Sequence, residues 1–95
     1  MNDLAGKVAL VTGGAQGLGE AICRCLASSE MVVVVADVRE ELAEKVASEI
    51  ESEGGKATAL RLDVTDETQI VSSIEKIINQ YGHLDVLINN AGIDV

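Results

Sequence analysis

The sequence predicts an α/β domain built on an open, doubly wound parallel sheet, and three observations carry that prediction. Short apolar runs alternate with amphipathic stretches of about 12 to 16 residues, the spacing of strands joined by helical crossovers. The first runs are apolar at every position rather than at every second one, as in strands covered on both faces. A cluster of glycines stands where the first strand passes into the first helix.

The elements follow in order. Val8-Ala9-Leu10-Val11-Thr12 is the first strand. After the glycine cluster, Leu18, Ile22, Cys25 and Leu26 recur at helical spacing and predict the buried stripe of the first helix. Met31 to Ala36 is β-branched and apolar, a second strand. A second helix runs from Glu40 to Glu53 with Leu42, Ala43, Val46, Ala47 and Ile50 inward, and Gly54-Gly55 fits its C-terminal cap. Ala57 to Leu62 is a third strand. Thr65 or Asp66 caps a third helix whose stripe is Ile70, Ile74, Ile77, Ile78 and Tyr81, and Gly82 stops it. Val86-Leu87-Ile88 is a fourth strand, followed by Asn89-Asn90-Ala91-Gly92.

Right-handed crossovers then give the strand order 3-2-1-4. The chain changes direction across the sheet between strands 3 and 4, which makes a switch point beside strand 1, where open α/β sheets take their ligands. Helices 1 and 2 share one face and helix 3 stands nearly alone on the other. The doubly apolar strands 1 and 2 are therefore expected to show bare hydrophobic surface, with strand 4 an unprotected edge and the isolated chain prone to self-association.

Composition narrows the chemistry. The chain has 95 residues, room for one small core, and 47% of them are apolar, too many for a disordered tail. Seven basic against 16 acidic residues give a net charge of −9, which disfavours nucleic acid and anionic membrane surfaces as partners. No apolar run reaches about 18 residues, so no transmembrane helix is expected. The N-terminus lacks the basic stretch and apolar core of a secretory signal. With one His, a Ser-His-Asp system depends wholly on His83, and a zinc site needs Cys23, Cys25 and His83 together. The two cysteines lie two apart on a helix, about 200° around its axis, and neither bridge nor share a metal; they read as reduced thiols of a cytoplasmic protein.

The glycine cluster is Thr12-Gly13-Gly14-Ala15-Gln16-Gly17-Leu18-Gly19. At the start of a helix, unpaired amides and the helix dipole favour an anion, and glycines let the backbone approach it closely. Gly-x-Gly-x-x-Gly does not fit in register. Gly14 and Gly19 have P-loop separation, but Glu20-Ala21 follows instead of Lys, so a triphosphate site fails. The pattern that fits is Gly13-x-x-x-Gly17-x-Gly19, a phosphate cradle or merely a tight turn. Asp37 ends the second strand, 18 positions past Gly19, close to the spacing of a carboxylate that takes an adenosine ribose diol. The alternative is a helix-initiating Asp. A carboxylate there repels a 2′-phosphate, which favours NAD over NADP, although Arg39 stands two residues away as a host for that phosphate. Asp63-Val64 ends the third strand, where a carboxylate accepts from an adenine amino group and Val64 covers the ring, or where Asp63 simply makes a turn. Asn89 to Gly92 ends the fourth, with small residues that let a nucleotide pass and amides that tie strands together.

Taken together, the glycine pattern, Asp37, Asp63-Val64 and Asn89-Asn90-Ala91-Gly92 resemble the short-chain dehydrogenase/reductase family in order and spacing, over Lys7 to Gly92. The resemblance implies a Rossmann-like fold. It implies that Gly13, Gln16, Gly17, Leu18 and Gly19 wrap the pyrophosphate and adenosine ribose. Asp37 then selects NAD, Asp63 and Val64 hold adenine, Asn90, Ala91 and Gly92 line the floor beside the nucleotide, and Asn89 is mainly structural. It also implies hydride transfer between a nicotinamide and a small-molecule alcohol or ketone, in a homo-oligomeric parent.

Two departures stand out. Glu30 replaces the glycine usual between helix 1 and strand 2; if φ is positive there, the substitution costs about 1 kcal/mol. The family's catalytic Ser, Tyr-x-x-x-Lys pair and further Asn lie downstream of Asn-Asn-Ala-Gly, and only three residues follow Gly92. Tyr81 is followed four positions later by Asp85, not Lys, and belongs to the apolar stripe of helix 3. His83 reads as a solvated turn residue. Residues 1–95 are thus expected to be the N-terminal, NAD(P)-binding part of a Rossmann domain whose catalytic half lies elsewhere. The alternatives are a stand-alone dinucleotide-binding module without catalysis and a truncated product with inherited motifs.

Overall fold

A computed structural model describes residues 3–91. The elements are β1 (Val8–Thr12), α1 (Gly17–Ser28), β2 (Val32–Asp37), α2 (Glu40–Ser52), β3 (Lys56–Arg61), α3 (Glu67–Tyr81) and β4 (Val86–Asn89). The four strands form one parallel sheet in the order β3-β2-β1-β4, so the fold is the Rossmann-like α/β arrangement that the alternation predicts.

Strand alternation divides the interior into two layers. Ala9, Val11, Val33, Val35 and Ala57 point to the face covered by α1 and α2, where they meet Cys23, Ala43, Val46, Ala47 and Ile50. Val8, Leu10, Val34 and Ala36 point to the other face and meet Ile77, Leu62 and the flanks of Ile70, Ile74 and Tyr81. The expected bare surface on β1 and β2 is therefore not found. Val8, Leu10 and Val34 are each 1% exposed, because the single helix α3 lies across the middle of the sheet. The exposed large apolar side chains of that side are instead Leu87 on β4 and Val71 and Ile78 on α3. β4 forms one edge of the sheet, as expected.

Helix α1 also departs from its expected phase. Cys25 and Leu18 are exposed, and the inward side chain is Cys23, with Gly19 buried one turn before it. The seat of Gly19 against the Gly13 carbonyl rotates the helix so that Gly19, Ile22, Cys23 and Leu26 face the sheet. Burial pushes the Cys23 thiol up to about 12, with the nearby Glu20 carboxylate adding to it.

The caps follow local chemistry. Asp66, rather than Thr65, caps α3: its carboxylate accepts from the backbone N–H of Thr68 and Gln69. Gly82 closes the helix by donating its N–H to the Ile78 carbonyl at 2.7 Å. Gly54 and Gly55 close α2 onto the carbonyls of Glu51 and Ile50. Glu30 has φ 67, the left-handed conformation expected at that turn. Among the described residues no helix is long and apolar enough to cross a membrane.

Candidate functional site

All four strands end on the same side, and the sequence-singled residues gather there. The turn after β1 is held from two directions. From β2, the Ala36 carbonyl accepts the Gly14 N–H at 3.0 Å, and Asp37 Oδ2 accepts the Ala15 N–H at 3.2 Å. From β4, Asn90 Nδ2 donates to the Gly13 carbonyl at 3.1 Å. Thr12, buried at the end of β1, donates its hydroxyl to Asn89 Oδ1 at 2.9 Å, while its oxygen accepts the Ala91 N–H at 3.1 Å.

Two glycines are required by this packing. Gly13 has φ 62, and a Cβ on it would lie 3.0 Å from Asn90 Nδ2 and 3.1 Å from the Ala91 Cα. A Cβ on Gly19 would lie 1.9 Å from the Gly13 oxygen. The residue type is thus dictated by close approach, which draws the start of α1 down onto the turn.

Gln16 is the N-cap of α1 in extended backbone, and its side chain makes no capping hydrogen bond. Its Oε1 instead accepts from Arg39 Nη1 at 2.9 Å. The opening amides of α1 are left without a side-chain cap, an arrangement suited to an anion. Leu18, in the first turn, is 64% exposed.

Asp37 is 5% exposed, and both of its carboxylate oxygens are fixed. Oδ2 accepts the Ala15 N–H, Oδ1 accepts the Arg39 N–H at 3.0 Å, and the Arg39 guanidinium forms an ion pair with Oδ1, its Nε 3.5 Å away. Asp63 makes an Asx turn: its Oδ1 accepts the Thr65 hydroxyl at 2.6 Å and the Thr65 N–H at 3.0 Å. Those two bonds, with the Arg61 charge nearby, hold the Asp63 carboxyl below the usual carboxylate range. The turn reading and the site reading of Asp63 are therefore compatible, since the turn occupies one oxygen.

A cavity of about 260 Å³ opens beside these groups, lined by Gly13, Asp37, Val38, Leu62, Asp63, Val64, Thr65 and Ala91. It brings together five of the expected residues: Gly13, Asp37, Asp63, Val64 and Ala91. Gln16 joins them through Arg39, and Asn90 lies beneath Gly13. Gly17, Leu18 and Gly19 form the adjoining helix start. Gly92 lies outside the described residues.

Sequence reasoning gave no role to Thr12, to the Ala15 amide, or to Asp85. Thr12 carried a signal, a hydroxyl closing an otherwise apolar strand. Asp85 Oδ2 accepts the Val8 N–H at 2.8 Å and contacts His83 Nδ1 at 2.6 Å, joining the starts of β4 and β1. His83 is half-exposed, as a turn residue should be, but it is paired with that carboxylate. Tyr81 stays away from the cavity: its hydroxyl donates to Thr58 Oγ1 at 3.3 Å, toward the opposite end of β3.

Comparison with known proteins bears on the family and the fold. A family profile described as short chain dehydrogenase matches residues 7–95. An uncharacterized oxidoreductase, YxjF, of Bacillus subtilis strain 168 is 48% identical over 87 residues, which are 92% of this chain and 34% of the relative. A 2,5-dichloro-2,5-cyclohexadiene-1,4-diol dehydrogenase, LinX, of Sphingobium indicum is 47% identical over 92 residues, 97% of this chain and 37% of the relative. The crystal structure of a hydroxysteroid dehydrogenase from Escherichia coli superposes with a TM-score of 0.87 at 36% identity, covering 90% of this chain and 37% of that one. The chain spans about a third of the length of these proteins.

Proposed function

The chain belongs to the short chain dehydrogenase family, whose members are oxidoreductases that use nicotinamide dinucleotides, and from that premise we propose that it holds the adenosine and pyrophosphate end of NAD. In this reading the chain is the N-terminal, dinucleotide-holding part of a Rossmann domain. The parent protein moves a hydride between nicotinamide and a small alcohol or ketone.

The single observation that carries the reading is Asp37. It is a carboxylate fixed by two backbone N–H groups at the wall of a cavity that also contains Gly13, Asp63, Val64 and Ala91. An ionised carboxylate offers about four acceptor positions, enough for two backbone donors and two ribose hydroxyls. A 2′-phosphate at the same place meets its negative charge, and this favours NAD over NADP. The donor set fits the rest of the cofactor. The opening amides of α1 suit a pyrophosphate, and the Cβ-free approach of Gly13 leaves room for it against Ala91. Asp63 keeps one carboxylate oxygen outside its Asx turn, suited to an adenine amino group, and Val64 supplies apolar cover. Thr12 and Asn89 lock β4 to the turn, and Asn90, which lines the floor beside the nucleotide, holds the Gly13 carbonyl so that the floor stays in register.

When bound, the dinucleotide supplies the hydride donor or acceptor at its nicotinamide ring. We assign proton transfer to the parent protein's residues beyond this chain. Tyr81 is packed against the second core layer and held to Thr58.

Titration of NAD into the protein and its Asp37→Ala variant tests the reading. The variant is expected to bind NAD about tenfold or more weakly, the size of lost hydrogen bonds to a charged acceptor, and to show a smaller gap between NAD and NADP. Unchanged NAD affinity in a folded variant removes Asp37 from the site.

A further inference from the structure

We propose that the groove between β3 and α3 binds a small aliphatic carboxylate, its head on Lys76 and the Ser73 hydroxyl and its tail beside Tyr81. This groove lies on the face of the sheet away from α1 and α2, and the proposal does not depend on the dinucleotide reading. Two adjoining cavities make it up. One, of about 260 Å³, is lined by Arg61, Thr68, Ser72, Ser73 and Lys76, with Leu60 as an apolar wall. The other, of about 150 Å³, shares Leu60 and Lys76 and adds Val34, Ile77 and Tyr81 from the second core layer. Lys76 therefore stands where the polar cavity meets the more apolar one.

The charge at this place runs against the rest of the chain, which carries −9. Arg24 is matched by Glu20, Glu49 and Glu53, and Arg39 by Asp37. Lys76 has no ion pair among the described residues. The residues three and four away from it on α3 are Ser72, Ser73, Asn79 and Gln80, none of them acidic. Glu75, its neighbour in sequence, points to a different side of the helix. Among the described residues no Asp or Glu lines either cavity. Asp63 and Asp66, near the start of α3, are engaged by Thr65, by the Thr68 N–H and by Gln69.

Ser73 is the second observation. It is 7% exposed, and its hydroxyl makes no hydrogen bond to any described residue. No wholly buried side-chain oxygen among the described residues lacks a partner, so the Ser73 oxygen opens on the cavity that it lines. A hydroxyl placed there takes its hydrogen bond from water or from a ligand. With the Lys76 ammonium one turn along the helix, it forms a donor pair suited to a carboxylate. Arg61 reaches the rim from the end of β3, but strand alternation gives the α3 face to Leu60. One cation for the head suits a monoanion better than a phosphate dianion, and Leu60, Val34 and Ile77 suit an aliphatic tail.

NMR titration of hexanoate, acetate, hexanol and inorganic phosphate into isotope-labelled protein tests the proposal, with thermal melts confirming that each variant is folded. Hexanoate is expected to shift the amides of Leu60, Ser72, Ser73 and Lys76 saturably. It is expected to bind about tenfold more tightly than acetate, the effect of two buried methylene groups. Lys76→Gln is expected to weaken hexanoate about fivefold, the effect of one near-surface charge contact, and this loss is expected to shrink as salt rises. Ser73→Ala leaves no protein group unpaired and is expected to weaken it about threefold. Lys45→Gln, on α2 across the sheet, removes the same charge and is expected to change nothing. Unaltered hexanoate affinity in both Lys76→Gln and Ser73→Ala overturns the proposal, as does an equal loss in Lys45→Gln. Hexanol or phosphate binding as tightly as hexanoate overturns it too. So do shifts confined to Ala15, Asp37 and Ala91, which would put the anion in the other cavity.

Discussion

Asn90 Nδ2 donates to the carbonyl oxygen of Gly13 across a separation of 77 residues, and Gly19 packs its α-carbon onto that same oxygen. One backbone carbonyl therefore joins the end of β1, the first turn of α1 and the end of β4. The joint ties the candidate site to three elements and has no room for a side chain.

Gly19→Ala places a methyl group 1.9 Å from the Gly13 oxygen and 2.7 Å from Asn90 Nδ2. It is expected to destabilise the fold by about 1–3 kcal/mol or more, since backbone must move. Gly17→Ala is the control. Its φ of 59 costs about 1 kcal/mol, but nothing lies within 4 Å of the added Cβ. Urea unfolding of the two variants is expected to rank Gly19→Ala as clearly the less stable, and equal midpoints contradict the packing account.

Glu30 sits at φ 67 between α1 and β2. Replacing it with Gly relieves about 1–2 kcal/mol of left-handed strain and returns about 0.4–1 kcal/mol through the freer unfolded chain. Glu30→Gly is expected to raise the melting temperature by roughly 2–6 °C. A lower melting temperature would show that interactions of the Glu30 side chain outweigh the strain.

Acid sensitivity is expected to centre on Asp85 and Asp63. The Val8 N–H holds the Asp85 carboxyl below the usual carboxylate range, with His83 and Lys7 adding to it; the Thr65 hydroxyl and amide do the same for Asp63. A carboxyl whose pKa is lower in the folded chain contributes stability that is fully present above its unfolded value. That contribution is lost as pH falls through the folded value. Urea midpoints are expected to fall as pH drops below about 4. Asp85→Asn retains an acceptor for Val8 but loses the charge and no longer titrates, so its midpoint at neutral pH is expected to fall toward the wild type's acid value and its acid slope to flatten. An acid slope as steep as the wild type's would mean that other groups dominate.

The two cysteines are expected to react very differently. Cys25 is exposed, whereas Cys23 is buried and its thiol is pushed up to about 12. A thiol reagent at pH 8 should label Cys25 alone in the native protein and both residues in urea. Rapid labelling of both without denaturant would place Cys23 outside the core.

The elements and their order were legible because each carries its own local signal. The continuous apolar runs marked β1 and β2 as strands apolar on both faces, Thr65 or Asp66 announced the start of α3, and Gly82 announced its end. The phase of α1 was not legible. Its glycines and small residues leave the apolar stripe ambiguous, and a contact to Gly13 chose Cys23 over Cys25 as the inward residue. The burial of β1 and β2 was misjudged for a related reason. How much sheet one helix covers depends on where it lies, and α3 lies over the centre.

The sequence alone determined the parallel α/β order 3-2-1-4, the turn at Gly13 to Gly19, and the family to which they point. Those features rest on periodicity, chain direction and backbone conformation, which act over a few residues at a time. Only the tertiary structure decided that Asp37 is shared among Ala15, Arg39 and the cavity, that Gln16 reaches Arg39 rather than capping its own helix, and that Asp85 joins β4 to β1. Side chains far apart in sequence meet only after the sheet has formed, and a carboxylate's partners are set by that packing and not by its neighbours along the chain.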